Sequence, residues 1–339
     1  MAVRRLANRV RRLLPRITLS FLILMVGTAA AWAQPSGSVR RVGFLWIGTA
    51  DGGPSPSLAA FREGMRERGY VEGKNLVIDV RDGRGDASRL GAQAASLVAS
   101  GIEVIVTQGG GPTAVAKQAS SRVPIVFGAA ADPVGRGLVA SLARPGGNVT
   151  GRAINLGLNK AYELLHEAAP ALRRAGLLHY SPSFPPGYLP VFLAERQAAA
   201  AALGFELTSL PVGSLDEVDA VLAGFAKAGG EALFVDGDPV LVAGRGIVHA
   251  LALRYRLASL CSDLRSAAAG CLLTYGDDVS DSFRQAAGIV DRILKGARPA
   301  DLPVEQPTKF TLIINARTAN ALGLTIPPSI LAYADEVIE

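Results

Sequence analysis

A chain of 339 residues of which 49% are apolar has material for two domains of ordinary size with large α/β cores. Its formal charge of +6 comes from 35 Lys and Arg against 29 Asp and Glu, and six of the arginines (Arg4, Arg5, Arg9, Arg11, Arg12 and Arg16) sit together at the N terminus with no acid among them. The rest of the chain is neutral, which removes the electrostatic reason to expect nucleic acid or an anionic membrane as a partner.

Those arginines precede an apolar run, Ile17 to Ala30, and the small-residue site Ala31-Trp32-Ala33. A basic leader, a short apolar core and an A-x-A site predict a secretory signal over residues 1–33, cleaved to leave Gln34 first. The run is shorter than the roughly 20 residues that span a bilayer. A periplasmic location is therefore expected.

After the leader, strands and helices alternate. Val39 to Gly48 reads as a strand, a helix follows from Leu58 to Gly69, and Leu76 to Val80, Ala87 to Ala99 and Ile102 to Thr107 read as strand, helix and strand. Gln108 to Thr113 opens a third helix. Val123 to Ala130 is apolar without alternation, as in a strand buried on both faces. Asp132-Pro133 predicts a capped helix running to Ala143, broken by Arg144-Pro145-Gly146-Gly147 before a short strand from Asn148.

From Asn159 the alternation starts again. Helices are predicted at 159–169, 189–203, 215–226 and 240–254, and strands at 175–180, 205–210, 231–235, 258–261 and 271–275, with a further helix from Asp281 to Gly296. Such alternation gives doubly wound parallel sheets whose ligands sit beyond the carboxyl ends of the strands. The expected architecture is two such lobes joined by three crossings, at Asn148–Asn155, Thr274–Gly276 and Leu302–Gln306. One lobe would take residues 39–150 with 276–302, the other 151–275 with 303–339. Cys261 and Cys271 form a disulfide or remain two buried thiols, since spacing does not tell whether their Cβ atoms meet.

Three stretches carry a more specific resemblance: Asp132-Pro133-Val134, Arg144-Pro145-Gly146-Gly147-Asn148-Val149-Thr150-Gly151, and the tail from Pro299 to Glu339, with Gly69 to Asn75 in support. Over about Val39 to Glu339 the chain resembles the ABC-transporter substrate-binding family whose better-known members bind tryptophan, tyrosine or phenylalanine. The resemblance implies a type I periplasmic-binding fold, open without ligand and closed around it. It also implies a monomeric receptor for a small amino-acid-like molecule, working with an ABC permease and its cytoplasmic ATPase. A sensory module of the same fold, feeding a signalling receptor, is the alternative. The cleft loops depart from the family's pattern at Gly111, at Tyr180 to Pro186 and at Cys261-Ser262-Asp263.

Ligands in such clefts are held by helix N-termini and a few side chains at strand ends. The first lobe offers Trp46, Thr49, Thr107, Gln108, Gly109, Thr113, Ala130 and Asp132; the second offers Tyr180, Ser181, Asp236, Asp238 and Tyr275, with Asp277 and Phe184 nearby. Free amides at Gln108 to Thr113 suit a carboxylate, although Gly109 to Gly111 also suit a bare tight turn. An ammonium requires a carboxylate, and Asp238 matches the family's motif position while Asp236 is extra. Each Asp has a competing role as a helix cap, and Trp46 a competing place in the core. No nucleophile elbow and no H-E-x-x-H occur, and the three histidines are scattered along the chain, so neither catalysis, a metal nor a cofactor is expected.

Overall fold

The computed structural model describes residues 39–48, 55–154, 157–184 and 186–339; the expected export signal and Thr49 lie outside the described residues. Two sheets organise them. The first has five strands in the order β2-β1-β3-β4-β5: β1 (Arg40–Trp46), β2 (Leu76–Asp82), β3 (Val104–Gln108), β4 (Ile125–Ala131) and β5 (Val149–Ile154). All its pairings are parallel. Helices α1 (Pro56–Glu67), α2 (Leu90–Ala99) and α3 (Gly110–Ala119) connect the early strands. Side-chain parity divides β1 between two cores. Val42, Phe44 and Trp46 face one apolar cluster, while Leu45 and Ile47 face the other.

The helix expected from Asp132 to Ala143 is absent. Pro133 O accepts from the N–H groups of both Leu138 and Val139, and Gly137 takes φ +68°, so the chain closes one turn and leaves it. Two glycines within five residues weaken helix propagation, and a left-handed glycine ends it. Asp132 still caps the turn, accepting from the Gly135 N–H at 2.9 Å.

The second sheet has the order β12-β11-β10-β9-β8-β6-β7. Its strands are β6 (Arg174–Tyr180), β7 (Glu206–Val212), β8 (Ala232–Val235), β9 (Ala258–Cys261), β10 (Leu273–Gly276), β11 (Thr311–Asn315) and β12 (Glu336–Ile338). Around it lie α4 (Leu158–Ala168), α5 (Tyr188–Ala201), α6 (Val218–Lys227), α7 (Pro239–Ala243) and α8 (Arg245–Arg254). The expected single helix from Val240 to Arg254 is thus two, parted at Gly244. The sheet is also not wholly parallel, because β10 and β11 run antiparallel with Gly276 opposite Thr311. The chain leaves the second sheet at the end of β10 and re-enters beside it, so the returning strand must run the other way.

Between those two strands the chain visits the first lobe. Helix α9 (Val279–Leu294, after the short turn of helix at Arg265–Ala268) packs with Phe283, Ala287 and Val290 against Phe44, Phe61 and Met65. The return at 302–306 then lies beside β5. Thr150 Oγ1 donates to Leu302 O at 2.7 Å, Glu305 N–H to Gly151 O at 3.0 Å, and Ala153 N–H to Glu305 O at 2.9 Å. Val304 N–H donates to Leu142 O, tying the irregular 133–148 segment to the same strand.

Cys261 and Cys271 are joined by a disulfide that links the end of β9 to the approach to β10. It spans 10 residues of sequence, and closing so short a loop stabilises by about 2–3 kcal/mol in the chain-entropy account. The double variant Cys261→Ala/Cys271→Ala is expected to lose stability of that order in urea denaturation, with a far-ultraviolet spectrum unchanged. Equal midpoints for variant and parent would show that the bond contributes nothing.

Candidate functional site

Both sheets reverse their strand order once, between β1 and β3 in the first and between β6 and β8 in the second. Loops leaving the carboxyl ends of strands at such a switch point splay apart and leave a crevice. Here the two crevices face each other. A Cβ on Gly109 would stand 2.8 Å from the Pro239 ring, so the loop after β3 touches the loop after β8. Tyr188 OH donates to Asp132 Oδ2 at 2.6 Å, and Arg136 Nη1 to Ser183 O at 3.1 Å, two further contacts between the lobes.

Cavities surround Gly237 at this junction. One is lined by Gln108, Gly109, Ile154, Ser262, Asp263 and Asp277, the next by Gly109 to Gly111, Arg136, Asp236 and Asp238. A third recess enters the second lobe under Tyr162, Phe234 and Tyr275, with Arg196 and Asp236 on its wall. Toward the crossings the cleft widens to a cavity of about 700 Å³ bounded by Asp132, Leu158, Lys160 and Gln306. At the other side, beyond Arg136 and Asp238, lies an apolar space lined by Ile47, Leu90, Val115, Tyr180 and Phe184.

The first-lobe candidates divide sharply. Gln108 and Gly109 line the cleft, and Gln108 Oε1 is buried with no hydrogen-bond partner. Thr107 and Thr113 do not reach it. Their hydroxyls lie 2.8 Å apart and fully buried, and Thr113 Oγ1 donates to Gly109 O at 2.6 Å, so they brace the turn in which Gly109 takes φ +86°. Trp46 is in the core by strand parity, among Val42, Phe44 and Phe61, with its Nε1 unpartnered. Ala130 likewise points into the core beside Phe127 and Ala153. Asp132 borders the wide cavity with its carboxylate already taken by Tyr188 and Gly135.

In the second lobe, Asp238 caps α7 by accepting from the Val240 N–H at 2.8 Å. Burial pushes its carboxyl up to about 6. Asp236 lines two of the cavities around Gly237. Asp277 is buried, Oδ2 has no partner, and burial pushes its carboxyl also up to about 6. Tyr275 lines the inner recess and stacks on Phe310, ring centres 5.5 Å apart. Tyr180 lines the apolar space instead, and Ser181 Oγ lies 3.5 Å from His179 Nδ1. His179 Nε2 is 2.8 Å from Ser209 Oγ, but that ring is fully buried against Phe184 and Phe192, out of reach of anything in the cleft. His249 is not isolated in space, lying 3.6 Å from Cys261 Sγ; with both sulfurs bonded to each other the group offers an imidazole and no thiolate.

Three residues of the cleft are missing from the sequence-based set. Tyr162 lies under the inner recess with its hydroxyl buried and unpartnered. Arg136 inserts between the lobes, its guanidinium 5.0 Å from the Phe184 ring centre and 5.2 Å from that of Tyr188. Arg196 shares the buried face of α5 with Tyr188, Phe192 and Ala200, positions four apart. A signal for it was present: an arginine on the apolar stripe of an amphipathic helix needs a reason to be there.

Residues 55–338 match the family model described as ABC transporter substrate binding protein. The tyrosine-binding protein of Clostridioides difficile is 26% identical over 273 residues, covering 79% of this chain and 78% of that one. Among solved structures, a conserved domain protein from Vibrio cholerae superposes with a TM-score of 0.81 at 26% identity, and the ABC domain from Streptococcus pneumoniae in complex with L-Trp with 0.77 at 27%. Each covers 88% of this chain and 100% of its own. With two facing α/β lobes and the family signature across nearly all of the described residues, the chain belongs to the ABC transporter substrate-binding protein family and has its type I periplasmic-binding fold.

Proposed function

We propose that this protein is the periplasmic solute receptor of an ABC uptake system, which encloses a small amino-acid-like ligand between its lobes and presents the closed form to a permease driven by a cytoplasmic ATPase. The observation that carries this reading is a set of buried polar atoms without partners around one cleft: Gln108 Oε1, Tyr162 OH and Asp277 Oδ2. Each costs free energy unless a ligand supplies its hydrogen bond. The Asp277 carboxylate, charged above about pH 6, and Asp236 give an ammonium group the acidic wall it needs. The relatives support the class of ligand, one being a tyrosine-binding protein and another a complex with L-Trp.

Closure follows from the division of contacts. Ligand bound to both lobes favours the closed state, because contacts to one lobe alone have no differential effect. Three adjacent crossings leave the lobes free to swing about one line as rigid bodies. Small-angle scattering is expected to show a smaller radius of gyration when the exported protein is saturated with its amino acid, with far-ultraviolet circular dichroism unchanged. Tight binding with no change in radius would sink the hinge mechanism.

Asp277 also makes a pH-dependent prediction. A carboxyl raised to about 6 in the folded state stabilises fully below its unfolded value near 3.9 and loses that contribution as pH rises through 6. His179 and His249, both pushed down by burial, act in the opposite sense, because the unfolded chain takes up their protons first as pH falls below about 6.5. Asp277→Asn should therefore raise the stability of the ligand-free protein at pH 7.5 and lose that advantage progressively as pH falls through 6 toward 4, while weakening amino-acid binding. A variant less stable than its parent at pH 7.5 would show that the carboxylate is already compensated.

A further inference from the structure

We infer that Arg196, together with the Tyr162 hydroxyl, holds the carboxylate of the ligand, so that the charged head is read by the second lobe and not by the helix amides at Gln108 to Thr113. The inference rests on the amino-acid reading above and assigns residues within that site.

Arg196 is buried, and its guanidinium lies 3.4 Å from the centre of the Phe192 ring, which fixes its plane. One donor reaches Phe192 O at 3.2 Å. A guanidinium has five N–H donors, and the only ion pair of Arg196 among the described residues is with Glu195 Oε2 at 3.6 Å, too long for a hydrogen bond, from a carboxylate that is 66% exposed. The cation therefore stands in the lobe interior with donors in hand and no anion of its own in hydrogen-bonding range. It lines both the recess under Tyr162 and the wide cavity toward the crossings.

The recess matches that need. It holds about 30 Å³, where about 10–15 Å³ admits one water, so a carboxylate fits and a ring does not. Tyr162 is 1% exposed and its hydroxyl, with no partner in the protein, is free to donate. Asp236 on the same wall places a negative charge beside the arginine, the order of charges that an α-amino acid presents in reverse. His179 nearby adds no second cation, since burial pushes it below the usual imidazole range. The first lobe's own cleft cation, Arg136, is already engaged, donating to Ser183 O and lying against the Phe184 and Tyr188 rings. That lobe's two buried hydroxyls, Thr107 and Thr113, bond each other, and Asp132 contributes the wrong sign.

The test compares an acid with its amide on the exported protein. Whichever of L-tryptophan, L-tyrosine and L-phenylalanine binds most tightly by calorimetry is titrated beside its carboxamide, which keeps the ammonium and the side chain. The parent is expected to bind the amide about 30-fold or more weakly, and Arg196→Met to lose about that factor for the acid and under about threefold for the amide. Tyr162→Phe should lose a smaller factor, about threefold to tenfold, again for the acid alone. Acid and amide bound equally by the parent would overturn the assignment without any variant needing to fold, as would equal losses for both ligands in Arg196→Met. In either case the amino-acid reading stands. Binding of none of the three amino acids would remove that reading and this assignment together.

Discussion

The two lobes of this protein are held in register by a strand that crosses back beside the one that crossed first. Gly151 and Ala153 pair with Glu305 through backbone hydrogen bonds, and the Glu305 carboxylate is gripped by Arg152 at 2.5 Å and by Arg292 at 2.7 Å. Arg152 is buried, and its Nε also donates to Ser282 Oγ, which in turn donates to Gly128 O in the first sheet. Both crossing strands and α9 thus share one charged contact. Removing Glu305 would leave Arg152 buried and unpaired, which is far costlier than losing an exposed ion pair.

Everything in the cleft depends on that line being where it is. The loops after β3 and β8 meet because the crossings bring the strand ends of one sheet opposite those of the other, and Gly109 is the residue that lets them touch. Around that contact the protein leaves polar groups buried without partners, at Gln108, Tyr162 and Asp277. A folded protein rarely tolerates this unless something else completes the bonds. A ligand that supplied those bonds would stabilise the folded state.

Structural and cavity-lining roles are divided within short stretches of sequence. Asp238 spends one oxygen on the cap of α7 and shares a cavity wall with Asp236, which alone of the two also lines the inner recess. Thr107 and Thr113 brace the turn that Gln108 and Gly109 use to line the cleft. Residue type alone does not separate such neighbours, because a carboxylate that caps a helix and one that waits for an ammonium have the same chemistry. Their surroundings differ, and those come from distant parts of the chain.

The alternation of apolar runs and amphipathic stretches determined the two sheets and most of their helices, because period and turn residues are local properties. The short motifs around Asp132 and Arg144, with the tail from Pro299, were enough to place the chain in its family. The missing helix after Pro133 was beyond local reading, since it turns on Gly137 adopting a left-handed conformation and on Val304 holding Leu142 from the far end of the chain. So was the fate of Trp46, which parity on β1 and the packing of α9 assign to the core. The disulfide needed two strand ends to be brought together. Arg196 was visible as an oddity on an apolar stripe, yet its facing Tyr162 and Asp236 across one recess is set by how α4, α5 and β8 pack, and only the tertiary structure brings those three elements to a single point.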